Sequence, residues 1–224
     1  MSEINIILLT FATEKFENSQ SLLQNIARCS GWNCLSYNPS RLLEIDPDFY
    51  SGPASTIERG FGLWTWKPMI ILHELKKLKA DEVLFYIDAG DLFLPNIVEI
   101  YQSQLARKPF LLFEGGGSIR EYTKRSTLEA FGMDGFRSRN RRMIEAGISF
   151  WKNNTESLDI LTKWLESCQN FALISDPELG ESQFSNFIAH RHDQSILTLL
   201  ALKLGVSPIS ASKRRSFQCN VMGK

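Results

Sequence analysis

Residues 82–91 read Glu-Val-Leu-Phe-Tyr-Ile-Asp-Ala-Gly-Asp, an apolar segment that ends in two carboxylates. Residues 83–87 are apolar, most of them β-branched or aromatic, and show no helical period, which predicts a buried strand over 82–87. Asp88, Gly90 and Asp91 follow at once. Because open α/β sheets bind ligands beyond the carboxyl ends of their strands, these residues form the first candidate site. The alternative is that the two carboxylates cap the helix expected after Pro95.

Strands and helices alternate on both sides of this stretch. Further strands are predicted over residues 4–10, 33–37, 110–113 and 147–151. Helices are predicted over residues 14–28, from 68, after 95, and over 126–131, 155–169 (capped by Thr155) and 193–204, with a loop over 39–53. This alternation predicts an α/β fold with a mostly parallel central sheet and helices on both faces. We expect one domain over 1–224, whose tail from about residue 211 need not pack on it.

Composition excludes several classes of function. The 224 residues include 25 Lys and Arg against 25 Asp and Glu, so no cationic excess favours nucleic-acid binding. No run approaches the ~18 apolar residues of a membrane span, and the amino end lacks the cationic start of a signal peptide. The four cysteines form no CxxC pair, which is typical of free thiols in a reducing compartment. We therefore expect a cytoplasmic protein, with peripheral membrane association left open.

The segment 59–68, Arg-Gly-Phe-Gly-Leu-Trp-Thr-Trp-Lys-Pro, is the second candidate. It precedes a predicted helix, and the amino end of a helix favours an anion. Arg59 and Lys67 supply charge suited to phosphate groups. The alternative is that Trp64 and Trp66 are core aromatics with cations lying alongside.

Two later segments are the third and fourth candidate sites. His190 and His192 precede Asp193 and Gln194 at a predicted helix start, so a histidine is a candidate metal or phosphate ligand. The acid or amide would then contact a transferred group, whereas a helix cap beside surface histidines is the alternative. Glu145, ahead of a small pair and a strand, would lie at a pocket edge or in an exposed turn.

Taken in order, the segments 60–68, 86–90, 145–148 and 192–195 resemble nucleotide-sugar glycosyltransferases of the GT-A type, in particular small bacterial and phage-type members. In that family a DXD motif binds Mn²⁺ or Mg²⁺ and the donor diphosphate. The matching positions are Asp88 and, displaced by one residue, Asp91, with Gly90 where the second Asp would stand. A late histidine often completes the metal shell, which suggests His192 or His190.

The resemblance implies transfer of a sugar from a UDP- or GDP-sugar to a glycan or other hydroxyl acceptor, as in polysaccharide biosynthesis. Asp193 is the expected catalytic residue and Glu145 the rival base; both inverting and retaining outcomes stay open. A metal-dependent phosphohydrolase or nucleotidyltransferase, and a non-catalytic nucleotide-sugar-binding module, are the alternatives. The donor contacts that the resemblance implies are Thr10, Phe11, Ala12, Arg59, Lys67, Asp88, Ala89, Gly90 and Gln194.

Overall fold

The computed structural model describes residues 4–93 and 96–210 and the backbone of residues 218–220. The strands are β1 (Asn5–Phe11), β2 (Asn33–Tyr37), β3 (Glu82–Ile87), β4 (Asp91–Phe93), β5 (Phe110–Ser118), β6 (Arg142–Lys152) and β7 (Gln218–Asn220). Five of them form the central sheet in the order β2-β1-β3-β6-β5. The short strands β4 and β7 pair separately.

Four of the five central strands point the same way. β1 is parallel to both β2 and β3, while β6 is antiparallel to β3 and to β5. The mostly parallel sheet is therefore confirmed, with β6 as the one reversed strand among the five. Beyond its pairing with β3, β6 continues with β5 as a two-stranded ribbon that pairs Glu114 with Ile144 and Ser118 with Arg142.

Helices cover both faces of the sheet. They are α1 (Glu17–Cys29), α2 (Pro39–Ile45), α3 (Gly60–Leu63), α4 (Trp66–Leu75), α5 (Ile97–Leu105), α6 (Ile119–Tyr122), α7 (Arg125–Ala130), α8 (Phe136–Arg139), α9 (Thr155–Gln169), α10 (Phe171–Ile174) and α11 (His192–Lys203).

Two apolar cores lie on opposite faces of the central strands. Side chains of α4, α9 and α11 contribute to the larger core, and those of α1 and α5 to the other. β3 supplies Leu84 to the first and Phe85 to the second, which explains why its sequence is apolar without alternation. Each large aliphatic or aromatic side chain buried in this way contributes about 1.5–3 kcal/mol.

Most predicted elements are confirmed, and four details are wrong. The strand predicted over 110–113 continues to Ser118. The predicted loop 39–53 contains α2, because Asn38 Oδ1 accepts a hydrogen bond from the Arg41 amide at 2.9 Å and Pro39 occupies the first helical turn. The strand predicted to start at Gly147 begins at Arg142. The cap of α9 is Asn154 rather than Thr155.

Two further predictions concern the carboxyl-terminal tail and a membrane-spanning segment. The tail expected from about residue 211 lies outside the described residues, apart from the backbone of β7. Within the described ranges, no helix has both the length and the apolar character that crossing a bilayer requires.

Candidate functional site

The carboxyl end of β3 meets β6 at Gly147. The Asp88 amide donates to the Gly147 carbonyl at 2.9 Å. A Cβ atom at position 147 would lie 2.8 Å from Asp88 Oδ2 and 3.5 Å from Asp91 Oδ2. A side chain at position 147 would crowd the Asp88 carboxylate, so glycine is what lets Asp88 approach this strand.

A buried lysine holds the Asp88 carboxylate from behind. Lys67 Nζ lies 3.1 Å from Asp88 Oδ1 and 3.3 Å from Oδ2, and 3.3 Å from Asp193 Oδ2. The Tyr86 hydroxyl donates to Asp88 Oδ1 at 2.6 Å. The side chains of Lys67 and Asp193 are only 3% and 5% exposed, whereas that of Asp88 is 34% exposed. The Asp88 carboxylate therefore faces outward, and the buried Lys67 and Asp193 lie behind it.

Burial and the neighbouring charges shift the pKa values of the residues in this cluster. Burial alone lowers the pKa of Lys67, but the carboxylates of Asp193 and Asp88 outweigh it and the net pKa is raised. Burial raises the pKa of Asp193 to about 7, with Asp88 adding to the rise and Lys67 opposing it. Burial, and then the charge of Asp88, raises the pKa of Tyr86 well above its usual value. Lys67 is thus a permanent cation, and Asp193 titrates near neutrality.

Asp193 is not a helix cap. The helix α11 starts at His192 without a side-chain cap, and Asp193 lies one residue inside it, directed at Lys67. The indole of Trp164 donates to the Asp193 carbonyl at 2.9 Å, which fixes this end of the helix to α9.

An open cleft of about 910 Å³ lies in front of Asp88. Phe11 and Trp66 stack in its wall with ring centroids 3.9 Å apart. The predicted donor residues at its rim are Phe11, Arg59, Asp88, Ala89 and Gly90, together with Asp91. Thr10, Ala12 and Gln194 do not line this cleft: Thr10 and Ala12 are buried behind it, and Gln194 lies elsewhere.

One wall of the cleft is a left-handed turn rather than an ordinary helix. The φ angles of residues 60–64 are all positive, from +50° at Phe61 to +86° at Gly62. A Cβ at Gly60 would lie 2.3 Å from the Trp64 indole, so glycine is required there by contact as well as by conformation. The three non-glycine residues each cost about 1–2 kcal/mol in this conformation. Strain of this kind is concentrated at functional sites.

Glu145 and Gln194 meet over the ribbon. A Cβ at Gly115 of β5 would lie 3.0 Å from Glu145 Oε1 and 3.1 Å from Gln194 Nε2. The Gln194 amide nitrogen is buried and has no hydrogen-bond partner among the described residues. Glu145 lies two residues from Gly147 along β6, a rise of about 7 Å. It belongs to a strand, not to an exposed turn.

The two histidines occupy different environments. His190 Nδ1 accepts from the Lys124 amide at 3.2 Å and its Nε2 lies 3.0 Å from the Leu173 carbonyl. Burial lowers the pKa of His190 to about 3, and both ring nitrogens are engaged. His192 Nδ1 donates to the Ile174 carbonyl at 2.8 Å, and its buried Nε2 has no hydrogen-bond partner within the described ranges.

His192 is tied to the left-handed turn. Its ring stacks on Trp64 with centroids 5.9 Å apart. Its Nε2 lies 3.8 Å from Asp176 Oδ1, which also lies 3.8 Å from an Arg59 guanidinium nitrogen. Burial lowers the pKa of His192, so the ring is neutral at neutral pH. Asp176 was not predicted, and no pattern in its irregular loop marks it.

Tyr86 was missed as a site residue, although its position carried a signal. Alternate residues of a strand share a face, so the second residue before a terminal Asp is placed to contact it.

In the described residues no group of three or more His, Cys, Asp or Glu side chains is arranged to hold a metal ion.

Comparison with known proteins supports the fold. No protein-family model matches the chain, and no curated protein matches its sequence. The WbbM bifunctional glycosyltransferase is similar in structure, with 8% identity and a TM-score of 0.53 over 89% of this chain and 38% of that one. Mouse xyloside xylosyltransferase 1 has 10% identity and a TM-score of 0.48 over 92% and 84% of the two chains.

A glycosyltransferase involved in glycosylation of the major capsid of PBCV-1 has 16% identity and a TM-score of 0.45 over 76% and 69% of the chains. At these identities the likeness establishes the fold alone, which is α/β and GT-A-like. The fold assignment rests on the WbbM match, which has the larger TM-score.

Proposed function

We propose that this protein is a glycosyltransferase that moves a sugar from a nucleoside-diphosphate sugar to a hydroxyl acceptor. The observation that carries the proposal is the buried Lys67–Asp88–Asp193 cluster behind a cleft lined by aromatic rings and Arg59. Aromatic faces suit a nucleobase, and a guanidinium suits a diphosphate.

Lys67 acts in this proposal as a positioning residue. Its ammonium is occupied by two carboxylates and shielded from solvent, so it influences the donor through Asp88. It also stabilises the negative charges of the partly exposed Asp88 and the buried Asp193, since a buried carboxylate without a partner is strongly disfavoured.

The residues fit a divalent cation held jointly by protein and donor. Asp88 and Asp91 both face Gly147, and a hard cation such as Mg²⁺ or Mn²⁺ is commonly bound by one or two carboxylates plus substrate phosphates. A bound cation would stabilise the charge that develops on the leaving diphosphate. His190 is left out of this site because both of its ring nitrogens are engaged.

Glu145 is the better placed of the two candidate bases. A general base must reach the proton that it accepts, and the Asp193 carboxylate is buried against Lys67. Glu145 is half-buried on the ribbon next to Gln194, whose buried amide nitrogen has no hydrogen-bond partner among the described residues. We therefore assign proton acceptance to Glu145 and the positioning of Lys67 to Asp193, if the transfer inverts the anomeric centre.

The proposal is tested by incubating the protein with a panel of UDP- and GDP-sugars, with and without Mn²⁺, and mixed glycan acceptors. We expect mass spectrometry to detect transfer from at least one donor, and Asp88→Ala to abolish it while the fold is retained. Donor cleavage that no acceptor accelerates would indicate a phosphohydrolase instead. Binding without cleavage would indicate a non-catalytic module.

The base is tested with Glu145→Gln and Asp193→Asn in the same assay. Removing a general base lowers kcat by roughly 10²- to 10⁴-fold and leaves donor KM and the melting temperature nearly unchanged. We expect this pattern for Glu145→Gln. If Asp193→Asn shows it and Glu145→Gln does not, the two assignments are exchanged.

A further inference from the structure

The positive charge of this neutral chain is concentrated next to the ribbon. Residues 119–142 carry seven Lys and Arg against three Asp and Glu, although the whole chain has equal numbers of each. This segment forms α6, α7, α8 and the first residue of β6. It therefore adjoins the end of the ribbon beyond the sheet, near Glu145.

Two arginines are anchored to the same pair of ribbon residues. An Arg142 guanidinium nitrogen donates to the Gly115 carbonyl at 3.3 Å, and an Arg191 nitrogen donates to the Gly116 carbonyl at 3.1 Å. The Arg191 guanidinium also lies over the Tyr122 ring, 3.5 Å from its centroid. A guanidinium has five N–H donors, so most of those on both side chains stay available for a ligand.

In the described part of the chain these cations make no close ion pair, although Glu121 is near: its pKa is lowered by its hydrogen bonds to Ser118 and also by the charges of Arg120 and Arg191. No carboxylate oxygen there lies within 4.0 Å of Arg142, Arg191 or Arg120, and Arg120 Nε is buried without a hydrogen-bond partner. The acids that face the cluster are Glu121 and Glu145. Glu121 Oε2 already accepts hydrogen bonds from the Ser118 amide and hydroxyl, at 2.6 and 2.8 Å.

The arginines lie beside Glu145 and Gln194 and do not line the cleft. Gly115, whose carbonyl binds Arg142, is the residue over which Glu145 and Gln194 meet. The donor cleft, with Arg59, is formed by other elements. We infer that Arg142 and Arg191 form a subsite for an acidic acceptor, a sugar with a phosphate or carboxylate group near its reacting hydroxyl. The inference rests on the proposed function, because it assigns the acceptor class of the same site.

The chemistry of the guanidinium supports this class of ligand. Its planar fork matches phosphate and carboxylate oxygens in a two-bond geometry, and these charge-assisted bonds are about twice as strong as neutral ones. The guanidiniums of Arg142 and Arg191 are held in place before the ligand binds, because both donate to backbone carbonyls and Arg191 also packs on Tyr122. Glu145, next to this positive charge, accepts a proton from a hydroxyl that the anion has positioned.

A binding experiment tests the subsite without turnover. Glucose 1-phosphate, glucuronic acid and methyl glucoside are titrated into the protein and followed by calorimetry. We expect both acidic sugars to bind at least tenfold more tightly than the neutral one. Arg142→Gln/Arg191→Gln should remove that preference, while Arg137→Gln, an exposed control in the same basic segment, should keep it. Melting temperatures show that each variant is folded.

Two results overturn the inference. One is equal affinity for the three sugars. The other is loss of the preference in Arg59→Gln but not in Arg142→Gln/Arg191→Gln, which would place the anion in the donor cleft. If the acidic sugars bind through Arg142 and Arg191 but no nucleotide sugar is bound or cleaved, the anion subsite stands and the proposed transferase does not.

A transfer experiment then compares matched acceptors with and without the acidic group, using a donor that the protein accepts. We expect kcat/KM to be at least tenfold higher for the acidic acceptor, and Arg142→Gln/Arg191→Gln to lower it to the value for the neutral one. Free sugar phosphate and the same sugar phosphate carried on a lipid in vesicles distinguish a soluble from a membrane-held acceptor. An unchanged preference in the variant contradicts the inference.

Discussion

Replacing Lys67 by methionine removes the ammonium at the centre of the site and keeps most of the apolar stem. The side chain is 3% exposed and its Nζ lies 3.1 Å and 3.3 Å from the carboxylates of Asp88 and Asp193. In Lys67→Met these two carboxylates face each other without a cation. The variant therefore tests whether the cluster is held together by its charge.

The expected loss of stability is large. Removing one partner of a buried ion pair typically costs 3–5 kcal/mol, because the other charge is left uncompensated. For a domain of this size that corresponds to a fall in melting temperature of roughly 6–20 °C. The loss should be smaller at pH 6 than at pH 8, because Asp193, already shifted to a pKa of about 7, takes up a proton more readily once the ammonium is absent.

The measurement is urea unfolding of the parent and Lys67→Met at both pH values. Lys163→Met is the matched control, since its pair with Asp159 is short, 2.6 Å, but half-exposed, and such a pair contributes at most about 1 kcal/mol. Adding Asp193→Asn to Lys67→Met should restore part of the stability. If Lys67→Met costs no more than Lys163→Met, or the second substitution restores nothing, the electrostatic account of the cluster is refuted.

Three further outcomes are expected. Gly147→Ala should displace the Asp88 carboxylate, which a Cβ would approach to 2.8 Å, and lower activity at least 10-fold with little loss of folding, whereas Gly135→Ala, which meets nothing within 4 Å, should be neutral. His190 has a pKa of about 3 when folded, below its ordinary 6.5, so it costs stability as pH falls from 6.5 to 3, and urea unfolding of His190→Asn should show less of this loss. The pKa of Asp193 is raised from 3.8 to about 7, so this residue lowers the free energy of unfolding as pH rises from 4 to 7, and Asp193→Asn should show less of this decrease. A pH dependence of opposite sign in either variant would contradict the assignment.

Local patterns predicted the strands that position the site. The strand 82–87 was predicted at its observed bounds because five apolar residues, 83–87, end abruptly in Asp88. The helix α2 was missed because Pro39 favours a loop in most contexts, and only its place after the Asn38 cap makes it a helix start. The start of β6 was missed because Glu145 and Gly147 are poor strand formers, and only pairing in the sheet overrides that preference.

Less of the site's chemistry could be predicted from the sequence. Lys67, Asp88 and Asp193 were each singled out, but nothing local indicates that they form one ion-pair cluster, since they come from α4, the end of β3 and α11. The left-handed turn was equally hidden. Gly60 and Gly62 permit positive φ, but Phe61, Leu63 and Trp64 adopt it only under the constraint of packing.

The position of β6 between β3 and β5 has a consequence for how the chain folds as it is made. The strand that carries Asp88 at its end is complete by residue 87, but its second neighbour ends only at residue 152. At about 5–20 residues per second, ribosomal synthesis leaves the backbone hydrogen-bonding groups along one edge of β3 unpaired for roughly 3–13 s. During that interval Glu82–Ile87 is an aggregation-prone segment, so binding by a chaperone at this stage of translation would protect the strand on which the whole site is later built.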